Sequence, residues 1–335
     1  HIHGNKDTDA AFGFAYAQSE DNWTIIHDSI PFYRGTNASI NGEDAAAIDF
    51  LIKWLGIWET VDEKYESHLK PETRAWIQAF VDGINFYAAL HPEQTNEKIF
   101  PISGKDVIAG YMLRHLLFYG FDGPIMELFE DERQRPVSRN RNARSGNRYL
   151  SSISGALTND LPIGSNAIAV SPPFTEDGAT RLAINSHQPT TGPVAWYEAH
   201  IQSNEGLNIM GGLFPSSATI GVGFTENLAW GATVNKPDLV DIFVLETDPD
   251  NPMRYKLDGK WENLEVKNIE IKVKLFGFLP WTVKETVFAS EHGPVIQNNH
   301  GTYAVRYAGM GEIRQLEQWL AMNKAQNFDQ WLDAM

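Results

Sequence analysis

Between Asp131 and Asn159 the chain carries Arg133, Arg135, Arg139, Arg141, Arg144 and Arg148 among serines, asparagines and glycines. A segment this polar buries too little apolar surface to offset the entropy of ordering it, so it reads as an exposed spacer. It separates two regions of different character. Residues 1–130 are patterned mostly for helices, residues 131–164 form the spacer region, and residues 165–335 are patterned for strands. Helices and strands kept apart along the chain point to an α+β protein rather than to alternating βαβ units.

The helical pattern is read from apolar spacing. Ala10, Phe14, Ala17 and Trp23 follow a short strand and a glycine turn, and Glu20-Asp21 are expected to close that helix. Ile48, Leu51, Leu55 and Trp58 form one stripe; after Pro71, Trp76, Phe80, Ile84 and Tyr87 form another; a further helix is expected from Gly104 to about Tyr119. Past the spacer, strands are expected at 166–170, 181–185, 196–202, 207–210, 228–234 and 242–246, with a hairpin from 268–275 and 281–289. Residues 314–335 return to helical spacing and stop without a cap, from which further chain downstream is expected.

Composition limits the function. With 335 residues, 42% hydrophobic and 21% charged, the chain can bury a large core. A net charge of -16 repels phosphate backbones, which argues against nucleic acid and anionic membranes as partners. The absence of cysteine excludes thiolate catalysis, cysteine-ligated zinc and disulfides. No apolar run approaches the roughly 20 residues of a membrane span. The opening His1-Ile2-His3 has no targeting pattern, which fits a trimmed leader or a trimmed chain. Nucleophile-elbow, zinc-protease, phosphate-loop and dinucleotide motifs are missing, and Asp248 and Asp250, separated by Pro249, read as a turn rather than a calcium loop.

One junction carries chemistry. Directly after the spacer stands Pro162-Ile163-Gly164-Ser165-Asn166-Ala167-Ile168-Ala169-Val170, a small residue before a serine that opens the first expected strand. A serine hydroxyl needs a base, and a chain-terminal α-amine with a pKa of about 7.7–8.0 can serve. Breaking the Gly164–Ser165 bond would put nucleophile and base on one residue. Gly164, without a Cβ, tolerates the strained backbone that such a cleavage needs.

At this junction the sequence resembles the penicillin acylase family of N-terminal-nucleophile hydrolases. The likeness extends to Gly13-Phe14-Ala15-Tyr16-Ala17-Gln18-Ser19-Glu20-Asp21, Asn185-Ser186-His187-Gln188-Pro189, Trp196-Tyr197-Glu198-Ala199-His200, Gly211-Gly212-Leu213-Phe214-Pro215 and Gly231-Ala232-Thr233-Val234-Asn235, in the family's order. The resemblance implies a four-layer αββα fold, of which this chain is the first half. It also implies a precursor cut at Gly164–Ser165 into two chains that stay together as a heterodimer in the periplasm or outside the cell.

By the same resemblance Ser165 is the nucleophile, His187 orients and tunes its amine, and the backbone N–H of Val234 is an oxyanion donor. A second donor, an asparagine, is expected beyond Met335. Asp238, Val240 and Asp241, with Glu127 as partner, match the family's calcium loop, so a structural Ca2+ is possible and no organic cofactor is expected. Two plain surface aspartates remain the alternative. The implied substrate is a small acyl amide: a β-lactam, an acyl-homoserine lactone or a lipopeptide. Gln188, Thr190 and Thr191 stand where aromatics often line the acyl pocket. An uncut inactive precursor and a secreted carbohydrate-binding module are the competing readings.

Overall fold

The computed structural model describes residues 1–118, 120–135, 164–233 and 238–335. Most of the spacer therefore lies outside the described residues, as does Val234.

The first region folds as strand β1 (Ile2–Gly4) and helices α1 (Asp7–Tyr33), α2 (Ala38–Asn41), α3 (Ala46–Trp54), α4 (Ile57–His68), α5 (Pro71–Leu90), α6 (Gly104–Phe118) and α7 (Asp122–Leu128). Glu20-Asp21 do close a first helical stretch, and a second one follows it within α1. The backbone leaves helical geometry at Asn22 (φ -136°, ψ 32°) and then resumes to Tyr33, because Ile26 and Ile30 beyond the break are buried and packing carries the helix onward. Pro71 opens α5 at the first turn, where its missing N–H costs nothing.

Helix α1 lies against α5, with Phe14 and Phe80 fully buried and their ring centroids 5.9 Å apart. The backbones come so close that a Cβ at Gly83 would run into the carbonyl of Phe12.

The second region supplies β2 (Gly164–Val170), β3 (Arg181–His187), β4 (Tyr197–Ser203), β5 (Asn208–Leu213), β6 (Val222–Phe224), β7 (Ala229–Trp230), β8 (Val240–Val244), β9 (Thr247–Asp248), β10 (Asn251–Leu257), β11 (Lys260–Asn263), β12 (Glu265–Leu275), β13 (Leu279–Ser290), β14 (Gly293–Asn298) and β15 (Gly301–Tyr307). Helices α8 (Gln315–Lys324) and α9 (Phe328–Ala334) follow. One sheet runs β1-β4-β5-β6-β7, with β1 parallel to β4 and the other pairs antiparallel. A second, antiparallel sheet runs β12-β13-β14-β15-β8; β9, β10 and β11 form a small one, and β2 pairs with β3 alone. The turn at Asp248 is confirmed: its carboxylate accepts the Asp250 N–H and pairs with Arg254.

One apolar core draws residues from both regions, among them Ile26, Ile77, Ile108, Ile201, Leu213, Val305 and Leu316. Buried side chains fasten the regions by serving backbone groups. Gln18 accepts from the Ser216 N–H and donates to the Ser217 carbonyl, both at 3.1 Å, while Trp76 donates to the Ala218 carbonyl at 2.9 Å. Asn323 on α8 does the same for Ile220, accepting from its N–H and donating to its carbonyl at 2.9 Å each. Helical and sheet content together make this an α+β fold, and among the described residues no helix is long and apolar enough to cross a membrane.

Two of the arginines in the segment read as a spacer are bonded. Arg133 donates to the Tyr303 hydroxyl and the His300 carbonyl at 2.8 Å each. Arg135 makes a bidentate pair with Glu127, at 2.6 Å for both bonds.

Candidate active site

Strands β2 and β3 pair so that Gly164 faces His187, Ser165 faces Ser186 and Asn166 faces Asn185. Side chains alternate across a strand, and directly opposed residues share a face. Gly164, Asn166, Asn185 and His187 therefore occupy one face, and Ser165, Ala167, Ile184 and Ser186 the other. Along β3 the burial alternates accordingly, with Asn185 and His187 exposed and Ile184 and Ser186 half-buried, whereas along β2 Gly164 and Ser165 are both half-buried and the next four residues are exposed.

The two candidate residues thus stand on opposite sides of the ribbon. His187 is badly placed to take a proton from the Ser165 hydroxyl, and well placed to act on the main chain at the junction. A Cβ built on Gly164 would sit 3.0 Å from His187 Nδ1, so the imidazole covers the residue before the serine. Its other nitrogen, Nε2, lies 3.3 Å from the side-chain amides of both Asn166 and Asn185. These two asparagines were not singled out from sequence. That Asn185 shares a face with His187 two residues on follows from the strand period, but that Asn166 joins them is legible only once the register is known.

The Ser165 hydroxyl donates to the carbonyl of Gly164 at 2.5 Å, which lays the side-chain oxygen against the peptide group on its own N-terminal side. While the Gly164–Ser165 peptide bond is intact, the Ser165 nitrogen is an amide with no basic lone pair. Only with that bond opened would this nitrogen be an amine able to accept a proton.

The inner face of the ribbon rests on the segment that leads to Val234. A Cβ at Gly231 would collide with Ile184, so glycine is needed for the approach. Val234 itself lies outside the described residues. Gln188, next after His187, holds its side-chain carbonyl buried with no partner among the described residues.

A second feature was missed in the sequence. Arg114 on α6 donates to the Tyr33 hydroxyl at 2.8 Å, the Ser216 hydroxyl at 2.7 Å and the Pro215 carbonyl at 3.3 Å, and it also reaches Ser217. These bonds hold Ser216 at φ 69°, a conformation that a residue with a Cβ rarely adopts. Burial pushes the Tyr33 phenol up, but the Arg114 guanidinium and hydroxyl hydrogen bonds outweigh it and leave the phenol below its ordinary value. The loop so fixed presents Phe214, stacked on Trp196 with centroids 4.7 Å apart and lying 5.6 Å from Phe118. Trp196 and Phe118 are 37% and 41% exposed, which leaves an open aromatic surface.

The residues compared with a calcium loop do not converge. Both oxygens of Glu127 are taken by Arg135, Asp241 faces Arg306 across the β8–β15 ladder, and Asp238 is exposed. Among the described residues no three acidic or histidine side chains come together. Calcium takes six to eight oxygens, and as placed Asp238, Asp241 and the Val240 carbonyl fall short of that set. These residues do not fit the ion, and no step below depends on one.

The strand-opening serine, the histidine over its preceding glycine and the glycine-packed ribbon are accompanied by a match over residues 1–335 to the penicillin amidase family, to which the chain belongs. Among individual proteins it is similar to the acyl-homoserine lactone acylase PvdQ of Pseudomonas fluorescens (strain Pf0-1), at 27% identity over 100% of this chain and 45% of the relative. The PvdQ of Pseudomonas syringae pv. tomato matches at 26% identity over 100% of this chain and 46% of its own length. Aculeacin-A acylase of Actinoplanes utahensis matches at 24% identity over 49% of this chain and 21% of its own. The chain spans about half the length of the PvdQ relatives it matches.

Proposed function

We propose that this chain is the front portion of an amidohydrolase that cleaves the amide between an acyl chain and an amine-bearing head group, with Ser165 as nucleophile after the Gly164–Ser165 bond is opened. The observation that carries this is the placement of the Ser165 hydroxyl against the Gly164 carbonyl on the inner face of β2. In the opening step Oγ attacks the Gly164 carbonyl carbon, its proton passes to the departing nitrogen, and the C–N bond breaks to leave an ester. Water then hydrolyses the ester to the Gly164 carboxylate and a free Ser165 hydroxyl and α-amine.

That amine, produced where the His187 ring covers the junction, becomes the base that the hydroxyl needs. His187 orients the amine and is not itself the acceptor of the hydroxyl proton. The N–H of Val234 is proposed as one oxyanion donor; a donor of this kind is worth about 3 kcal/mol in the transition state. Asp238, Val240, Asp241 and Glu127 would enter a calcium site only if Glu127 were released from Arg135.

The names of the relatives favour an acyl-homoserine lactone over a β-lactam, with a lipopeptide as the wider alternative. The aromatic row of Phe118, Phe214 and Trp196 is the proposed surface for the acyl chain. The αββα layering, a heterodimer of two cut chains and a location outside the cytoplasm belong to the same proposal.

The test is intact-mass and N-terminal analysis of the protein together with release of free amine from acylated homoserine lactones. The expected result is a new α-amine at Ser165 and hydrolysis, both abolished by Ser165→Ala. Normal cutting and turnover by Ser165→Ala would overturn the assignment.

A further inference from the structure

Asparagine is among the residues least suited to a β-strand, yet Asn166 on β2 and Asn185 on β3 stand directly opposite each other in the paired ribbon. Both side-chain amides reach the same atom, His187 Nε2, at 3.3 Å each. The other ring nitrogen, Nδ1, lies 3.0 Å from the position of a Cβ on Gly164. The two nitrogens thus face different neighbours, Nε2 the asparagines and Nδ1 the residue before the serine.

Both asparagines turn their NH2 groups toward Nε2. An amide N–H donates, so Nε2 is the acceptor, and a neutral imidazole whose Nε2 accepts carries its proton on Nδ1. A histidine side chain free in water favours the opposite arrangement, with the proton on Nε2. Two donors on Nε2 work against that preference and put the ring's N–H on the side that faces Gly164.

The consequence lies in the opening of the Gly164–Ser165 bond, so this inference rests on the function proposed above. When Ser165 Oγ attacks the Gly164 carbonyl carbon, negative charge builds on the carbonyl oxygen. An N–H held beside Gly164 stabilises that charge, whereas a bare Nδ1 lone pair at the same place would oppose it. We propose that Asn166 and Asn185 are positioning residues for the cut, holding His187 over Gly164 as the Nδ1–H tautomer. They act on the reacting bond only through the ring.

Nitrogen NMR of the imidazole reads the tautomer directly. The full-length Ser165→Ala protein, which is expected to keep the junction whole, is measured at about pH 8, where an ordinary imidazole is neutral. The His187 signals are identified by their loss in His187→Gln. A proton on Nδ1 and none on Nε2 is expected. Adding Asn166→Asp or Asn185→Asp is expected to reverse this, because a carboxylate only accepts and draws the proton to Nε2.

Cutting is followed by intact mass in the protein that retains Ser165. Asn166→Asp and Asn185→Asp are each expected to slow the appearance of the Ser165 amine by on the order of a hundredfold, the typical cost of losing one such donor. Each aspartate keeps the size of the side chain and a hydrogen bond to the ring, so an asparagine with a merely structural role would let cutting proceed unchanged. An Nε2–H ring opposite the two asparagines, or cutting of both aspartate variants at the original rate, would overturn the inference. If Ser165→Ala abolishes cutting and the aspartate variants cut normally, the assignment of Ser165 stands and the role of the asparagines alone falls. Normal cutting of Ser165→Ala would remove both.

Discussion

At the scale of single residues, His115 on α6 gives the clearest titration. Burial, reinforced by the neighbouring Arg114 charge, lowers its pKa from 6.5 to about 4, so it is neutral in the folded protein over most of the usual range. The unfolded chain takes up a proton at this residue below about pH 6.5, whereas the folded chain does so only near pH 4. Folding stability from this group is therefore complete above pH 6.5 and is lost as pH falls towards 4. The loss is on the order of 3 kcal/mol. Glu312, held down to about 2 by hydrogen bonds from Arg314, adds to acid lability only below its ordinary value of 4.5. Melting temperature measured from pH 7 to pH 5 is expected to fall in the wild type and to fall less in His115→Gln. Equal slopes would show that other groups govern this window.

At the scale of elements, the ribbon of β2 and β3 depends on one close approach, that of Ile184 to Gly231. Gly231→Ala is expected to cost about 1–3 kcal/mol by overpacking. Ile184→Ala, by vacating the space, is expected to make the added methyl nearly harmless, so the double variant should be more stable than the sum of the single losses implies. Denaturant unfolding of the three variants checks this, and strict additivity would mean that the two positions do not touch. The strands of this ribbon were legible in the sequence, because the run from Asn166 to Val170 and the run from Arg181 to Asn185 are bounded by turn residues. The sidedness was not. Local pattern leaves the pairing register open, and shifting it by one residue exchanges the faces. The same limit hid the strands at Gly293–Asn298 and Gly301–Tyr307, and it hid the second helical stretch that follows the break at Asn22, just after the expected end at Glu20-Asp21.

At the scale of the whole molecule, the two regions share a core and are fastened by the buried side chains of Gln18 and Trp76, and within the second region a buried amide joins distant segments in the same way. Asn323, 2% exposed, satisfies both backbone groups of Ile220 from a helix more than a hundred residues later. Asn323→Ala would leave a buried N–H and a buried carbonyl without partners, with an expected loss of about 3 kcal/mol in unfolding experiments. A loss below about 1 kcal/mol would show that water replaces the amide.

The sequence by itself determined that a mostly helical region precedes a mostly stranded one, that a polar, arginine-rich segment lies between them, that cysteine chemistry is absent and that a serine stands near the start of the first strand after that segment. These follow from composition and from periods of a few residues, which local sterics and solvation enforce. Only the tertiary structure decided that the Ser165 hydroxyl and the His187 ring lie on opposite faces, that Arg114 fixes the strained loop at Ser216, and that Glu127 is taken by Arg135. Each of those joins groups through pairing, burial or charge between chain segments, and such contacts are set by the folded arrangement rather than by any window of neighbouring residues.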